Sequence, residues 1–259
     1  MNTINNNIQD DMLISLIIPI NNEQENVTRL ANEIENTMKT ISLKWECIWV
    51  DDGSTDDSFK KIKEINSKLP DSHKFLQLKQ NYGQWIAITA GCAFAKGNIY
   101  ATIDGDCQND PGDLINLIEK FIQHDADMVN GIRKKRNDSL IKKISSKIAN
   151  GFRNWVTNEN IIDMGCSLRV FKPHCLTNIK NYKGMHRFFP TIAKLNGYSK
   201  IYEYEVNHRP REKGISKYGI HNRLWSSIYD LIVVKWMQVR TCYPEIISFS
   251  SESTNEKSK

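Results

Sequence analysis

Apolar residues occur in short unbroken runs, separated by stretches where they recur at helical spacing. Leu13–Ile20 is an almost continuous apolar run, the pattern of a parallel strand buried on both faces. Val27, Leu30, Ile34, Met38 and Ile41 then return at the helical period, which predicts a helix over Val27–Ile41. Further strands are predicted at Trp45–Val50, Phe75–Leu78 and Ile99–Ile103. Helices are predicted between and after them at Asp56–Leu69, Gly83–Lys96 and Asp113–Gln123, the second rich in small residues suited to close packing on a sheet. This alternation implies an α/β chain with a doubly wound, mostly parallel sheet. Ligands of such sheets bind beyond the carboxyl ends of the strands. Three of those ends carry polar clusters: Asn21-Asn22-Glu23, Asp51-Asp52 and Asp104-Gly105-Asp106.

The second half is less regular. Strands are predicted at Met128–Ile132, Ser167–Phe171 and Ile201–Val206, a basic amphipathic helix at Leu140–Val156, and a last helix at Ile220–Arg240. Arg211–Tyr218 reads as a polar loop broken by Gly214. The expected organisation is a disordered segment at 1–12, one domain at 13–240 and a polar tail at 241–259. Within the domain, 13–130 and 131–240 form two halves of different character.

Charge sharpens this division. The net charge is +5, but residues 1–130 sum to −9 and residues 131–259 to +14. An acidic half suits a metal and a nucleobase; a basic half suits phosphate, nucleic acid or an anionic membrane. The six cysteines include no C-x-x-C pair, which excludes a zinc knuckle or a thioredoxin-type site. No secretory leader is expected from Met1 to Asp11, so the thiols are expected reduced in a cytosol. Leu224–Val239 contains Asp230 and Lys235 and reads as an amphipathic helix, not a membrane crossing.

Asp104, Asp106 and Gln108 alternate just past a strand, so an extended segment would set two carboxylates and an amide oxygen on one side. These hard donors suit Mg²⁺ or Mn²⁺, whose shells are commonly completed by substrate phosphate and water. Alone, Asp-Gly is an ordinary turn pair. With a polar cluster at each of the first two strand ends, a shared cleft is the better reading.

The stretches LISLIIPINNEQENV, WVDDGSTDDS, LKQNYGQWIAITAGCAFAKGN and IDGDCQNDPGDL resemble glycosyltransferase family 2, which has the GT-A nucleotide-sugar fold. Asp104-x-Asp106-x-Gln108-x-x-Pro111, GIRKKR, DMGCSLRVF and HRPREKGISKYG narrow the resemblance. They are similar to the dolichyl-phosphate mannose synthase branch and its bacterial polyprenyl-phosphate relatives. The resemblance implies inverting transfer of a sugar from a nucleotide-diphosphate donor to a polyprenyl phosphate. It also implies Mg²⁺ or Mn²⁺ as cofactor, and a cytoplasmic location, peripheral on the membrane. Many bacterial relatives continue into two membrane spans; this chain resembles the type without them.

By that resemblance Pro19, Asn21, Glu23 and Asp52 line the nucleoside pocket, and Asp104 lies beside the nucleotide. Asp106 and Gln108 ligate the metal. Arg133, Lys147, Arg211 and Lys217 face phosphates, and Asp163 lies near the reacting centre. The residues implied in catalysis are Asp106, Asp163, Arg211 and Lys217. Asn21 stands where a Tyr is usual, Gln80 where an Arg is common and Lys147 where an Arg is frequent, and the first leaves the base open.

The alternative within the family is a sugar hydroxyl acceptor in cell-envelope synthesis, which would need a base; Asp163 is its first candidate. A nicotinamide oxidoreductase would place G-x-G-x-x-G after the first strand, where this chain has Pro19-Ile20-Asn21-Asn22-Glu23. A nucleic-acid-binding module would leave the aspartates without a purpose, and nucleic acid is not expected as a partner. An inactive partner subunit, a homo-oligomer and a membrane-protein partner all stay open. Membrane contact is expected from Arg133–Arg153, which pairs eight basic residues with an apolar stripe ending in Phe152 and Trp155, and from Met185–Pro190.

Overall fold

The computed structural model describes residues 12–133, 150–176, 182–210 and 220–242, with the side chains of 220–227 excepted. The first strand, β1 (Leu13–Ile20), pairs in parallel with β2 (Lys44–Asp51) on one side and β4 (Ile99–Thr102) on the other. β3 (His73–Gln77) extends the sheet beyond β2. β5 (Met128–Arg133), β6 (Arg169–Phe171) and β7 (Ile201–Val206) complete the seven described strands, in the order β3-β2-β1-β4-β6-β5-β7. Only β6 among them runs antiparallel, threaded between β4 and β5.

The apolar runs work as their pattern requires. Ile14, Leu16, Ile18 and Ile20 of β1 face one core cluster, while Ile17 faces another. The first cluster is closed by α1 (Val27–Met38), α2 (Ser58–Lys68) and α4 (Asp113–Gln123). The second is closed by α3 (Gln84–Phe94), α5 (Phe189–Leu195) and α6 (Ile220–Arg240). Each fully buried Ile or Leu in these layers contributes about 1.5–3 kcal/mol. The small residues of α3 matter here. A Cβ on Gly91 would come within 2.7 Å of Ile17 and 2.8 Å of Val50, so glycine lets the helix lie close on the sheet.

At the amino ends of the strands the buried polar groups pair among themselves. Glu46 accepts from the Ser15 hydroxyl at 2.6 Å and the Lys96 amide at 2.7 Å, and it is ion-paired with Lys74. Trp49 Nε1 donates to His73 Nδ1 at 2.8 Å, so the other ring nitrogen, Nε2, carries the proton donated to Glu35 at 3.0 Å.

Some expectations shift. Met12, assigned to the amino-terminal segment, packs against the first core cluster. Residues 150–157 are helical, the end of the basic helix expected at 140–156; its earlier part, Lys147 included, lies outside the described residues. So do Arg211, Lys217 and the loop they occupy, residues 1–11, and the tail from 243. Met185–Pro190 is not a membrane contact: Met185, Phe188 and Phe189 are buried in the second core cluster, because the sheet face beside β6 needs covering. Burial also pushes the Cys107 and Cys166 thiols up to about 11, which leaves no reactive thiolate there.

Candidate active site

β1 leads leftward to β2 and β3, whereas β4 leads rightward through the sheet, so the strand order reverses between β1 and β4. A crevice opens at such a reversal, beyond the carboxyl ends. Pro19 and Ile20 end one of these strands, and Asp104-Gly105-Asp106 follows the other.

The first two loops are stitched together. Asn21 Nδ2 donates to the Asp52 carbonyl at 2.7 Å, and the Asn22 amide to Ser54 Oγ at 3.0 Å. Asn22 Oδ1 accepts from the Thr55 amide at 2.7 Å, and the Glu23 amide donates to Ser58 Oγ at 2.8 Å. The Asp52 carboxylate, 3% exposed, accepts from the Tyr82 and Gly83 amides at 2.7 and 2.8 Å. It therefore ties the β3–α3 loop to the end of β2. Gly53 is obligatory at this junction: its φ is +63°, and a Cβ would strike the backbone of Gln80.

The third cluster is a turn and not the extended segment expected. β4 stops at Thr102, and Cys107 adopts φ +58°, which folds its thiol into the core. The alternation nevertheless survives, with Asp104, Asp106 and Gln108 half-buried and Gly105, Cys107 and Asn109 buried. Gly105 is required because a Cβ there would strike Ile20 Cδ1 and lie 3.2 Å from the Pro19 carbonyl. That close approach brings the turn against the end of β1.

Asp104 accepts from Gln84 Nε2 at 2.6 Å. Burial, then the neighbouring Asp106 charge, pushes its carboxyl up to about 6, against the pull of Ser167, Arg169 and Arg133. Arg133, at the end of β5, grips Asp163 with Nε–Oδ2 and Nη2–Oδ1 contacts, both 2.8 Å. Gly165 leaves room for that fork, since its Cβ would sit 2.7 Å from Arg133 Nη2. Arg169 is 3% exposed and donates to the carbonyls of His186 at 2.9 Å and Met164 at 2.8 Å. The site thus places Pro19, Asn21, Asp52, Asp104, Asp106, Gln108, Arg133 and Asp163 around neighbouring strand ends. Gln84 and Arg169 join them; both lie in stretches that carry the resemblance, which assigns neither a role. A further signal for Arg169 is a charged residue inside an apolar strand.

Gln108 binds the chain after β7: its carbonyl accepts from the Arg209 amide at 2.8 Å, and its Nε2 donates to the Arg209 carbonyl at 3.3 Å. Arg209 in turn reaches Asp110 at 2.8 Å and Glu33 at 2.7 Å. The acidic turn is therefore braced by the segment leading to Arg211.

As a donor set, two carboxylates and an amide oxygen fit a hard divalent cation. The mutual charge of Asp104 and Asp106, felt in the raised Asp104 carboxyl, is what such a cation would relieve. No group of three His, Cys, Asp or Glu side chains able to hold a metal occurs among the described residues. Gln108 and exogenous oxygens would have to complete the shell.

At the switch point of this α/β sheet, acidic turns line the crevice, with Arg133 half-buried and Arg169 buried beside them. Residues 15–207 match the glycosyl transferase family 2 model, and the chain belongs to that family. It is 36% identical over 223 residues to dodecaprenyl-phosphate galacturonate synthase of Rhizobium johnstonii, covering 85% of this chain and 66% of that protein. It is 35% identical over 226 residues to undecaprenyl-phosphate 4-deoxy-4-formamido-L-arabinose transferase of Pectobacterium carotovorum, covering 87% and 68%. The chain thus spans about two thirds of the length of these curated relatives. Among solved structures, it resembles glucosyl-3-phosphoglycerate synthase of Mycobacterium tuberculosis, in complex with Mn²⁺ and uridine diphosphate (TM-score 0.65, 14% identity, 90% of this chain and 81% of that one). It also resembles mannosyl-3-phosphoglycerate synthase of Rubrobacter xylanophilus (TM-score 0.64, 12% identity, 88% and 74%). These two likenesses establish the GT-A type of fold.

Proposed function

We propose that the protein transfers a sugar, with inversion, from a nucleotide-diphosphate donor to a polyprenyl phosphate at the cytoplasmic face of a membrane. The observation that carries this reading is the likeness, over 85–87% of the chain, to relatives named for prenyl-phosphate products or acceptors. In this reading the loops of Pro19, Asn21, Glu23 and Asp52 receive the nucleoside, and Asp104 lies beside it. Asp106 and Gln108 would hold Mg²⁺ or Mn²⁺, which when bound neutralises charge developing on the leaving diphosphate. Asp163 holds Arg133 in a fixed orientation, so that its cation faces phosphate without losing its position. Lys147, Arg211 and Lys217 would supply further cations.

A phosphate acceptor has a second pKa of about 6, so most of it is ionised at neutral pH and no strong base is needed. The engagement of both Asp163 oxygens with Arg133 supports this acceptor over a sugar hydroxyl. The test is a panel of UDP- and GDP-sugars with a polyprenyl phosphate, with and without Mn²⁺, scored for glycolipid. Metal-dependent glycolipid from one donor is expected. Transfer only to a sugar hydroxyl would overturn the proposal.

A further inference from the structure

α6 has two apolar faces. Leu231 and Val234 turn into the second core cluster and are 6% and 0% exposed. Tyr229, Ile232, Trp236 and Val239, spaced by three and four positions, lie on the opposite side and are 62–70% exposed. A helix packed on a soluble domain carries polar residues there. Residues 150–157 pack beside this helix: on its core-facing side the Gln238 amide donates to the Thr157 carbonyl at 3.0 Å. There Trp155 and Phe152 are 78% and 53% exposed, with rings 6.0 Å apart. Single exposed apolar side chains are ordinary; a cluster on adjoining helices marks a contact surface.

Composition and charge select the occupant. Tryptophan and tyrosine among aliphatic residues are the side chains that settle at a membrane boundary, with the ring in the apolar layer and its N–H or O–H toward water. The half of the chain bearing this surface, residues 131–259, carries a net charge of +14. A second copy docked here would bring two such halves together in repulsion, whereas anionic headgroups would neutralise them. Lys235 and Arg240 flank the stripe, where long basic side chains reach headgroups. No helix among the described residues is long and apolar enough to cross a membrane.

We propose that the outer face of α6, with Phe152 and Trp155, is a lipid-docking surface that lies in the interface of an anionic bilayer. It rests on the proposed function only in that a membrane-borne acceptor gives such docking a purpose. The contact keeps Phe152 and Trp155 from the one expected from sequence, adds the outer face of α6, and leaves out Met185–Pro190, where Met185, Phe188 and Phe189 face the core.

Flotation of the full chain with vesicles of equal parts phosphatidylglycerol and phosphatidylcholine tests the proposal. The parent should float, and an Ile232→Ser, Trp236→Ser, Trp155→Ser variant should lose roughly tenfold or more in partitioning, as the apolar area withdrawn predicts. Brominated acyl chains should quench indole emission in the parent more than in Trp236→Phe. Transfer to a short, water-soluble prenyl phosphate should be the same for parent and triple variant, which also reports correct folding. Equal flotation of parent and triple variant would overturn the proposal. So would a parent that ignores vesicles but sediments as a dimer that the triple variant dissociates, since the occupant would then be a second copy. Vesicle binding with the predicted variant effect, but no transfer to any prenyl phosphate, would instead count against the proposed function and leave the docking surface supported.

Discussion

Arg133 and Asp163, thirty positions apart, meet as a planar fork on a carboxylate, and the Arg133 amide adds a third contact to Asp163 at 3.2 Å. Their side chains are 17% and 10% exposed, so the pair is largely withdrawn from water. Removing one partner leaves a charge with little solvent. Asp163→Ala should therefore lower unfolding stability by about 3 kcal/mol, read from urea denaturation. Arg133→Lys keeps the charge and loses the fork. It should fold with a smaller stability loss yet transfer sugar poorly. Full activity in Arg133→Lys would remove Arg133 from the phosphate site.

Asp106 tests the proposed metal role. Its place beside Asp104 and Gln108 in the turn after β4 predicts that Asp106→Asn folds normally. Its metal-dependent turnover should fall by a factor of about 100 or more, the scale of losing one preorganised electrostatic contact. Steady-state rates across a Mn²⁺ titration are the measurement. Near-parent turnover with the same metal requirement would falsify the assignment.

Gly105 offers a structural test of the same turn. An alanine Cβ would collide with Ile20 Cδ1 at the end of β1. Gly105→Ala should cost about 1–3 kcal/mol by overpacking and raise the Mn²⁺ concentration needed for half-maximal rate. Adding Ile20→Val removes the colliding methyl and should restore much of both. A double variant no better than Gly105→Ala would mean that contact with Ile20 does not position the turn.

The paired groups at the other end of the sheet set the acid stability. Burial outweighs the Glu35 contact and holds His73 below its usual 6.5. Between 6.5 and the folded value the unfolded chain binds a proton that the folded chain does not, so stability falls as pH drops through that range. Burial raises the Glu46 carboxyl, but Lys74, Ser15 and the Lys96 amide outweigh it and hold it below 4.5. Glu35 is likewise lowered, burial being outweighed by His73 and Lys39. Their stabilisation is present above 4.5 and is lost as pH falls through their folded values. Asp104, held up to about 6, protonates more readily in the folded chain and opposes this loss between about 6 and 3.8. The Glu46 contribution is therefore read against a variant: the melting-temperature gap between parent and Glu46→Gln should hold steady above 4.5 and close as pH falls below it. A gap that widens below 4.5 would contradict this.

The strands and helices of the first half were legible in sequence because each has one strong period. The runs at Leu13–Ile20 and Ile99–Thr102 are covered on both faces, and α1 and α4 each show one apolar side to the sheet. The clusters at Asp52 and Asp104-x-Asp106 were legible only as a set at neighbouring strand ends, since each alone reads as an ordinary turn.

Other features depended on contacts between distant segments. Sequence cannot rank β6 between β4 and β5, because three residues of apolar pattern carry no register. Only that placement brings Arg169 near Asp104. The acidic turn looked extended because alternation alone does not report a left-handed residue such as Cys107. Met185–Phe189 and the outer face of α6 are both aromatic and apolar, yet the sequence reading assigned membrane contact to the first and only an amphipathic helix to the second. The fold separates them physically: the first covers the sheet beside β6, while the second has its opposite face already spent on the core.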